Sequence, residues 1–181
     1  MNMTSNEEEL VRQLQDKSLQ RAAFARVVSI YSEPIYWQIR RIVLSHDDAN
    51  DLLQNTFIKA WTNLDAFRGD SKISTWLYRI AINGSLNFVQ KQKNHFSLDE
   101  DSSVVDFLMS DEFFDGDELQ AQLQEVIARL PEKQRLVFQM KYFQDMKYEE
   151  IGEILGTSVG ALKATYHHAV KKIAEFFQEE D

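Results

Sequence analysis

Tyr148-Glu149-Glu150-Ile151-Gly152-Glu153-Ile154-Leu155-Gly156-Thr157-Ser158-Val159-Gly160-Ala161-Leu162-Lys163 is the stretch on which the reading of the fold turns. Ile151 and Leu155 stand four apart and so share one face of a short helix. Gly156 supplies a tight turn, and Val159 and Leu162 would pack a second helix back against the first. Gly152 lets the two backbones approach. A helix-turn-helix of this kind lays its second helix in the DNA major groove, with the N-terminal residues at the base edges. Here those residues are Ser158, Gly160, Ala161, Lys163 and Ala164. Lys163, His167, Lys171 and Lys172 are placed for phosphates or bases. An ordinary helical hairpin carries the same short pattern, so DNA binding and simple packing both stay open at this point.

Working outward, Val159 to Phe177 continues as one helix. Towards the N-terminus, Leu136, Val137, Met140 and Phe143 are the apolar set of a helix whose first position suits Pro131. Leu123, Val126, Ile127 and Leu130 mark an amphipathic helix before it, and Gln144-Asp145-Met146 is a turn. Before this domain lies Ser97 to Glu118, with nine acids and no Lys or Arg, interspersed with Leu98, Val104, Val105, Phe107, Leu108, Met109, Phe113 and Phe114. It reads as a linker, though one with too many large hydrophobes for an inert tether.

The first half is helical too. Glu7 to Ser18 opens it. Arg21 to Ser45 carries Phe24, Val27, Val28, Tyr31, Ile35, Ile39, Ile42 and Val43 on one face, with Pro34 expected to kink it or start a new helix. Asp47 or Asp48 is expected to cap the next helix, whose buried stripe reads Ala49, Leu52, Leu53, Phe57, Ala60, Trp61 and Leu64. A loop at Arg68-Gly69-Asp70-Ser71 precedes a last helix, begun by Ser74 or Thr75 and weakened at Gly84. In the run Phe67 to Arg79, aromatic and basic residues alternate as on surfaces that stack unpaired bases. Trp76 and Leu77 read as core, and Phe67, Arg68, Lys72 and Arg79 as contact candidates.

Composition agrees with an all-α chain: 2 Pro, 6 Gly and 44% hydrophobic residues in 181. The absence of cysteine excludes disulfides, thiolate metal sites and a cysteine nucleophile. Met1 to Leu10 is polar and acidic, so no secretory signal is expected, and no apolar run has the ~20 residues of a membrane span. A net charge of −9 argues against a nucleic-acid binder until its placement is examined. Ala66 to Phe96 holds five basic residues and one acid, and Ile154 to Ala174 three lysines, two histidines and no acid. Two surfaces free of strong negative charge therefore flank an acidic segment.

The order of motifs is more specific than any one of them. Asp48-Ala49-Asn50-Asp51-Leu52-Leu53-Gln54-Asn55-Thr56-Phe57-Ile58-Lys59-Ala60-Trp61 comes first, then Phe67-Arg68-Gly69-Asp70 and Thr75 to Asn83. Leu130-Pro131-Glu132-Lys133-Gln134-Arg135, Tyr148-Glu149-Glu150-Ile151 and Ser158-Val159-Gly160 follow. In this order the chain closely resembles the extracytoplasmic-function sigma factors of RNA polymerase, over roughly Arg21 to Lys93 and Leu119 to Phe177.

That resemblance implies two small helical domains joined by an acidic linker. Residues 21–94 would bind core polymerase and the downstream promoter element, after an N-terminal helical extension at 1–20. Residues 95–118 would be the linker, threading toward the active-site and RNA-exit channels as a nucleic-acid mimic. Residues 119–178 would read the upstream element with Ser158, Gly160, Ala161, Lys163, Ala164, His167, Lys171 and Lys172. Asp48, Asp51, Gln54, Asn55 and Lys59 would face the clamp helices of the largest polymerase subunit. Arg68 to Ser74 would capture a flipped base, with Phe67, Arg68, Lys72, Arg79, Asn83 and Asn87 as the downstream set. Ile82, Thr165, His168 and Val170 stand where the family often has basic residues, so the phosphate grip should be weaker. The implied partners are core RNA polymerase, promoter DNA as duplex and as melted strand, and an anti-sigma factor, in the cytoplasm. No cofactor and no membrane insertion are implied.

An enzyme finds no support: there is no P-loop, no Gly-rich dinucleotide turn and no Gly-x-Ser-x-Gly. His167 and His168 are neighbours and point about 100° apart on a helix, which is poor for a shared metal. Two other classes stay open on the sequence: a helix-turn-helix regulator that works without polymerase, and a helical module that only clamps a protein partner.

Overall fold

Eight α-helices and one 3-10 turn, with no strand, make up the described residues, 5–95, 109 and 116–179 of a computed structural model. They fall into two compact units, Met1–Phe88 and Val89–Asp181, the division lying inside one helix. Nearly all of the acidic linker expected at 95–118 lies outside the described residues. Among the described residues no helix is long and apolar enough to cross a membrane.

The first unit begins with α1 (Ser5–Gln15), α2 (Gln20–Val43) and α3 (His46–Thr62). Leu10, Val11 and Leu14 bury one face of α1 beside α2. The helix α2 is continuous through Pro34, where a kink or a new start was expected. Ile30, whose carbonyl would lose its bond to a proline nitrogen, is on the exposed side, where water can replace that bond. Val27, Ile35, Ile39 and Ile42 hold both halves of α2 in the core.

Leu44 ends α2 in the left-handed region at φ 64°, its N–H donating to Arg40 O at 2.8 Å. The cap of α3 is Ser45, whose hydroxyl accepts from the Asp48 N–H at 3.3 Å. Asp47 and Asp48, expected as caps, sit in the first turn instead, where their charge favours the helix N-terminus. The ring of His46 joins Tyr36 Oη at 2.8 Å to the Asn50 amide at 2.9 Å and ties the end of α2 to the start of α3. A 3-10 turn (Leu64–Ala66) and a loop lead to α4 (Ile73–His95), which starts slightly ahead of the expected Ser74 or Thr75.

The second unit contains α5 (Glu118–Arg129), α6 (Glu132–Tyr142), α7 (Tyr148–Leu155) and α8 (Val159–Glu179). Asp117 caps α5 by accepting from the Gln120 N–H at 2.9 Å. Pro131 is the N-cap of α6, one place before its expected first position. Val126, Ile127, Leu130, Phe138, Ala169 and Ile173 form the core, with Tyr166, Phe176 and Phe177 packed on it. This core fixes the buried side of α8 and leaves the other side to solvent.

Candidate nucleic-acid interface

The turn between α7 and α8 has the geometry its residues require. Gly156 caps α7 at φ 63°, ψ 38°, a conformation that a side chain disfavours. A Cβ on Gly152 would lie 2.8 Å from the Thr157 carbonyl oxygen, so this glycine is what lets the turn fold onto α7. The Glu150 carboxylate accepts from the Lys147 N–H at 3.0 Å and closes the start of α7. Ile151, Ile154 and Leu162 are buried between the two helices, whereas Leu155 and Val159 are only half-buried. The Ser158 hydroxyl accepts from the Ala161 N–H at 3.4 Å and caps α8.

Ser158, Gly160, Ala161, Lys163, Ala164, His167, Lys171 and Lys172 are all exposed. Gly160, Ala164, His167 and Lys171 lie opposite Leu162, Ala169 and Ile173, which are buried, while Ala161, Lys163 and Lys172 flank that side and Ser158 stands at the helix start. The first turns of that exposed side carry only small residues besides Lys163, so the backbone itself can come close to a groove floor. Lys163 Nζ lies 5.8 Å from the Tyr148 ring centroid, and Lys141 Nζ 5.5 Å from the same ring. Sequence reasoning missed Tyr148, since nothing in the spacing pairs it with a lysine on the next helix. Lys171 lies 3.6 Å from Glu175, which offsets part of its charge.

In the first unit the downstream candidates divide. Arg68, Arg79, Asn83 and Asn87 are exposed and Lys72 is half-buried. Lys72, Arg79, Asn83 and Asn87 follow one helical face, opposite buried Leu77, Ala81 and Ser85. Phe67 departs from expectation. It is 6% exposed, its ring against Trp76 at 4.9 Å between centroids, so it packs behind the loop and offers no face to a base. Ile82, noted for not being basic, is 1% exposed and belongs to the core. Lys17 pairs with Asp65 just before the loop and holds that carboxyl below the usual carboxylate range through a hydrogen bond and its charge.

On α3, Asp51, Gln54, Asn55 and Lys59 are exposed and Asp48 is half-buried. Trp61 was expected in the buried stripe but is 43% exposed, and Ile58 is 62% exposed. Trp61 rests on Phe24 at 5.0 Å, and the two rings with Arg21, Phe57 and Ile58 line a groove between α2 and α3. The signal for this surface was Ile58, a large hydrophobe outside the apolar stripe.

Residues 27–95 match the family described as Sigma-70 region 2, and residues 120–173 the family Sigma-70, region 4. The ECF RNA polymerase sigma factor SigW of Bacillus subtilis is 35% identical over 156 residues, covering 80% of this chain and 83% of that one. The fold is similar to that of CnrH in its complex with the cytosolic domain of CnrY, with a TM-score of 0.74 and 20% identity over 97% of this chain and 99% of that one. It is also similar to the sigma factor RpoE of Bartonella quintana, solved with the anti-sigma factor NepR, with a TM-score of 0.68 and 21% identity over 86% of this chain and 96% of that one.

Proposed function

The chain belongs to the sigma-70 family, in its extracytoplasmic-function branch, and on that premise we propose how its surfaces divide the work of starting transcription. It is a sigma factor, which joins core RNA polymerase and directs promoter-specific initiation. Members of this family are not catalysts, and here the strands are parted by binding alone. Residues 119–178 hold duplex DNA and residues 21–94 hold core polymerase and separated bases.

The helix α8 enters the major groove of the upstream element. Ser158, Gly160, Ala161, Lys163 and Ala164 face the base edges, and Lys163, whose long side chain also reaches a phosphate, joins His167, Lys171 and Lys172 on the backbone. The observation that carries this is the exposure of all eight, with Gly160, Ala164, His167 and Lys171 directly opposite the buried Leu162, Ala169 and Ile173. Arg68 to Ser74 takes a base flipped from the melted downstream strand, while Lys72, Arg79, Asn83 and Asn87 line the strand's path. Capture offsets the few kcal/mol that unstacking one base costs. On α3, Asp48, Asp51, Gln54, Asn55 and Lys59 meet the clamp helices of the largest polymerase subunit, with Ile58 and Trp61 as the apolar part of the same surface. An anti-sigma factor that covers this surface would keep the protein from polymerase. The compartment is the cytoplasm, where the polymerase works.

The test is reconstitution. Core polymerase with this protein should give run-off transcripts from discrete start sites, and the free protein should bind the same promoters poorly at physiological salt. Tight, specific binding by the free protein, together with failure to associate with core polymerase, would replace this reading with a regulator that acts alone.

A further inference from the structure

We propose that α1 is a strut for the base-capturing loop, with Val11 and Gln15 as positioning residues that hold Arg68 and Gly69 in the shape that receives an unpaired base. The inference rests on the reading of that loop given above and adds a determinant outside it.

Three observations on α1 converge on the loop. Gln15 Nε2 donates to the Arg68 carbonyl oxygen at 3.4 Å. At the next residue, Gly69 has φ +79°, and a Cβ there would lie 3.1 Å from Val11 Cγ1 and 3.7 Å from Gln15 Nε2. Just beyond the helix, Lys17 pairs with Asp65 at the entry to the loop. The strut is itself anchored, because Leu10, Val11 and Leu14 are 4%, 7% and 1% exposed.

The loop needs such support. Its ends are closed by the Phe67 N–H on Leu64 O at 3.0 Å and the Trp76 N–H on Lys72 O at 3.1 Å. Phe67 is clamped on Trp76 from the α4 side. Beside it opens a cleft of 330 Å³, bordered by Leu14, Gln15 and Gln20 on one side and Leu64, Asp65, Phe67 and Arg68 on the other. On the side of this cleft the loop lacks close packing, so there the bridging contacts from α1 hold its conformation. Each loop residue left free must be ordered when the base arrives, and that cost is subtracted from binding.

The experiment uses holoenzyme reconstituted from core polymerase and each variant. The probe is a single-stranded oligonucleotide carrying the downstream element mapped by run-off, in four versions that differ at the flipped base. Gln15→Glu keeps the size but puts an acceptor against the Arg68 carbonyl, and Val11→Ala frees Gly69. Each is expected to weaken cognate binding by about 5–30-fold, the loss expected from ordering one loop residue, and to flatten discrimination among the four bases. Gln15→Lys restores a donor and should restore discrimination. A loss of folded protein lowers the amount bound but not the ratio between bases, so discrimination separates positioning from bulk stability.

Arg68→Ala is the control for the loop itself. If it flattens discrimination while Gln15→Glu and Val11→Ala keep the wild-type ratio, the strut is overturned and the loop reading stands. If Arg68→Ala also keeps the wild-type ratio, the loop reading falls and the strut with it. Weaker binding of all four bases by the α1 variants at an unchanged ratio overturns the strut as well.

Discussion

Gly84 lies inside α4, and a Cβ built there meets nothing within 4 Å, so Gly84→Ala is expected to add about 0.8–1 kcal/mol of helix propensity. Gly152 lies inside α7 and would gain the same propensity, but its Cβ would stand 2.8 Å from Thr157 O and 3.7 Å from Leu162 Cδ1. That oxygen is backbone, held by a turn whose own geometry depends on the left-handed Gly156, so it cannot swing aside as a flexible side chain would. Forcing the turn open costs about 1–3 kcal/mol, which outweighs the propensity gain. The same chemical change is therefore expected to stabilise by about 1 kcal/mol at one site and to destabilise by up to about 2 kcal/mol at the other. The three tryptophans, Trp37, Trp61 and Trp76, all precede Phe88, so their emission reports the first unit alone, whereas far-ultraviolet dichroism reports both. Gly84→Ala should raise the tryptophan melting midpoint by about 4–8 °C. Gly152→Ala should leave that midpoint in place and lower the part of the dichroism transition that tryptophan does not see. A rise in stability with Gly152→Ala would refute the close approach of turn and helix on which the helix-turn-helix geometry rests.

Three further outcomes are open to measurement. Lys163→Ala should reduce the slope of log affinity against log salt by about 0.9 for holoenzyme on the upstream element, and an unchanged slope would remove Lys163 from the phosphate contacts. Ile58→Glu should leave the tryptophan midpoint nearly unchanged, because the residue is 62% exposed, yet weaken association with core polymerase by about tenfold or more. Equal association by the variant in a sedimentation or pull-down titration would take α3 out of that interface. Burial pushes the Tyr78 phenol up to about 12, with nearby Arg41 opposing the shift. An unfolded tyrosine ionises near pH ~10, so this group's stabilisation is whole below that pH and is lost as pH rises towards ~12. Tyr78→Phe should flatten the fall of the tryptophan midpoint over that window, and an identical fall in both proteins would contradict the burial argument.

The parts of the fold legible in the sequence are those where one residue type has few alternatives. Gly156 after an apolar pair four apart demanded a turn, and the structure puts it at φ 63°. The alternation of apolar positions marked each helix, because burial of one face is what stabilises a helix in a small unit. What the sequence could not give is the partner across each face. Trp61 has the spacing of the α3 core stripe, but it lies over Phe24 at the edge of the groove and remains 43% exposed. Phe67 and Trp76 looked separable into contact and core, yet their rings pack together, which buries Phe67. Asp48 and Ser45 are both plausible caps in composition, and the left-handed Leu44 before Ser45 decides between them. The contacts of α1 on Arg68 and Gly69 span more than 50 residues of chain and leave no periodic trace.

On the proposed reading, the charge distribution gives a reason for polymerase to complete the binding site. The exposed lysines of α8 are three, Lys163, Lys171 and Lys172, and Lys171 faces Glu175 at 3.6 Å. Three phosphate contacts lose about 40-fold in affinity between ~50 and ~200 mM salt, and they supply far less attraction than the ~6–10 contacts of a strong duplex binder. The chain as a whole carries −9, so at long range the free protein is repelled by DNA. Anchoring on core polymerase changes the terms. Once one surface is bound, the others meet the promoter at an effective concentration set by geometry, so weak contacts at two promoter elements multiply. A more basic α8 would bind duplex DNA without polymerase and lose that coupling. On this argument the scarcity of arginine at Thr165, His168 and Val170 serves selectivity, since it confines promoter recognition to the assembled enzyme. Thr165→Arg together with Val170→Arg should therefore raise duplex binding by the free protein much more than it raises specific initiation by holoenzyme. Equal gains in both would show that the missing charge is a defect of grip and not a condition for selectivity.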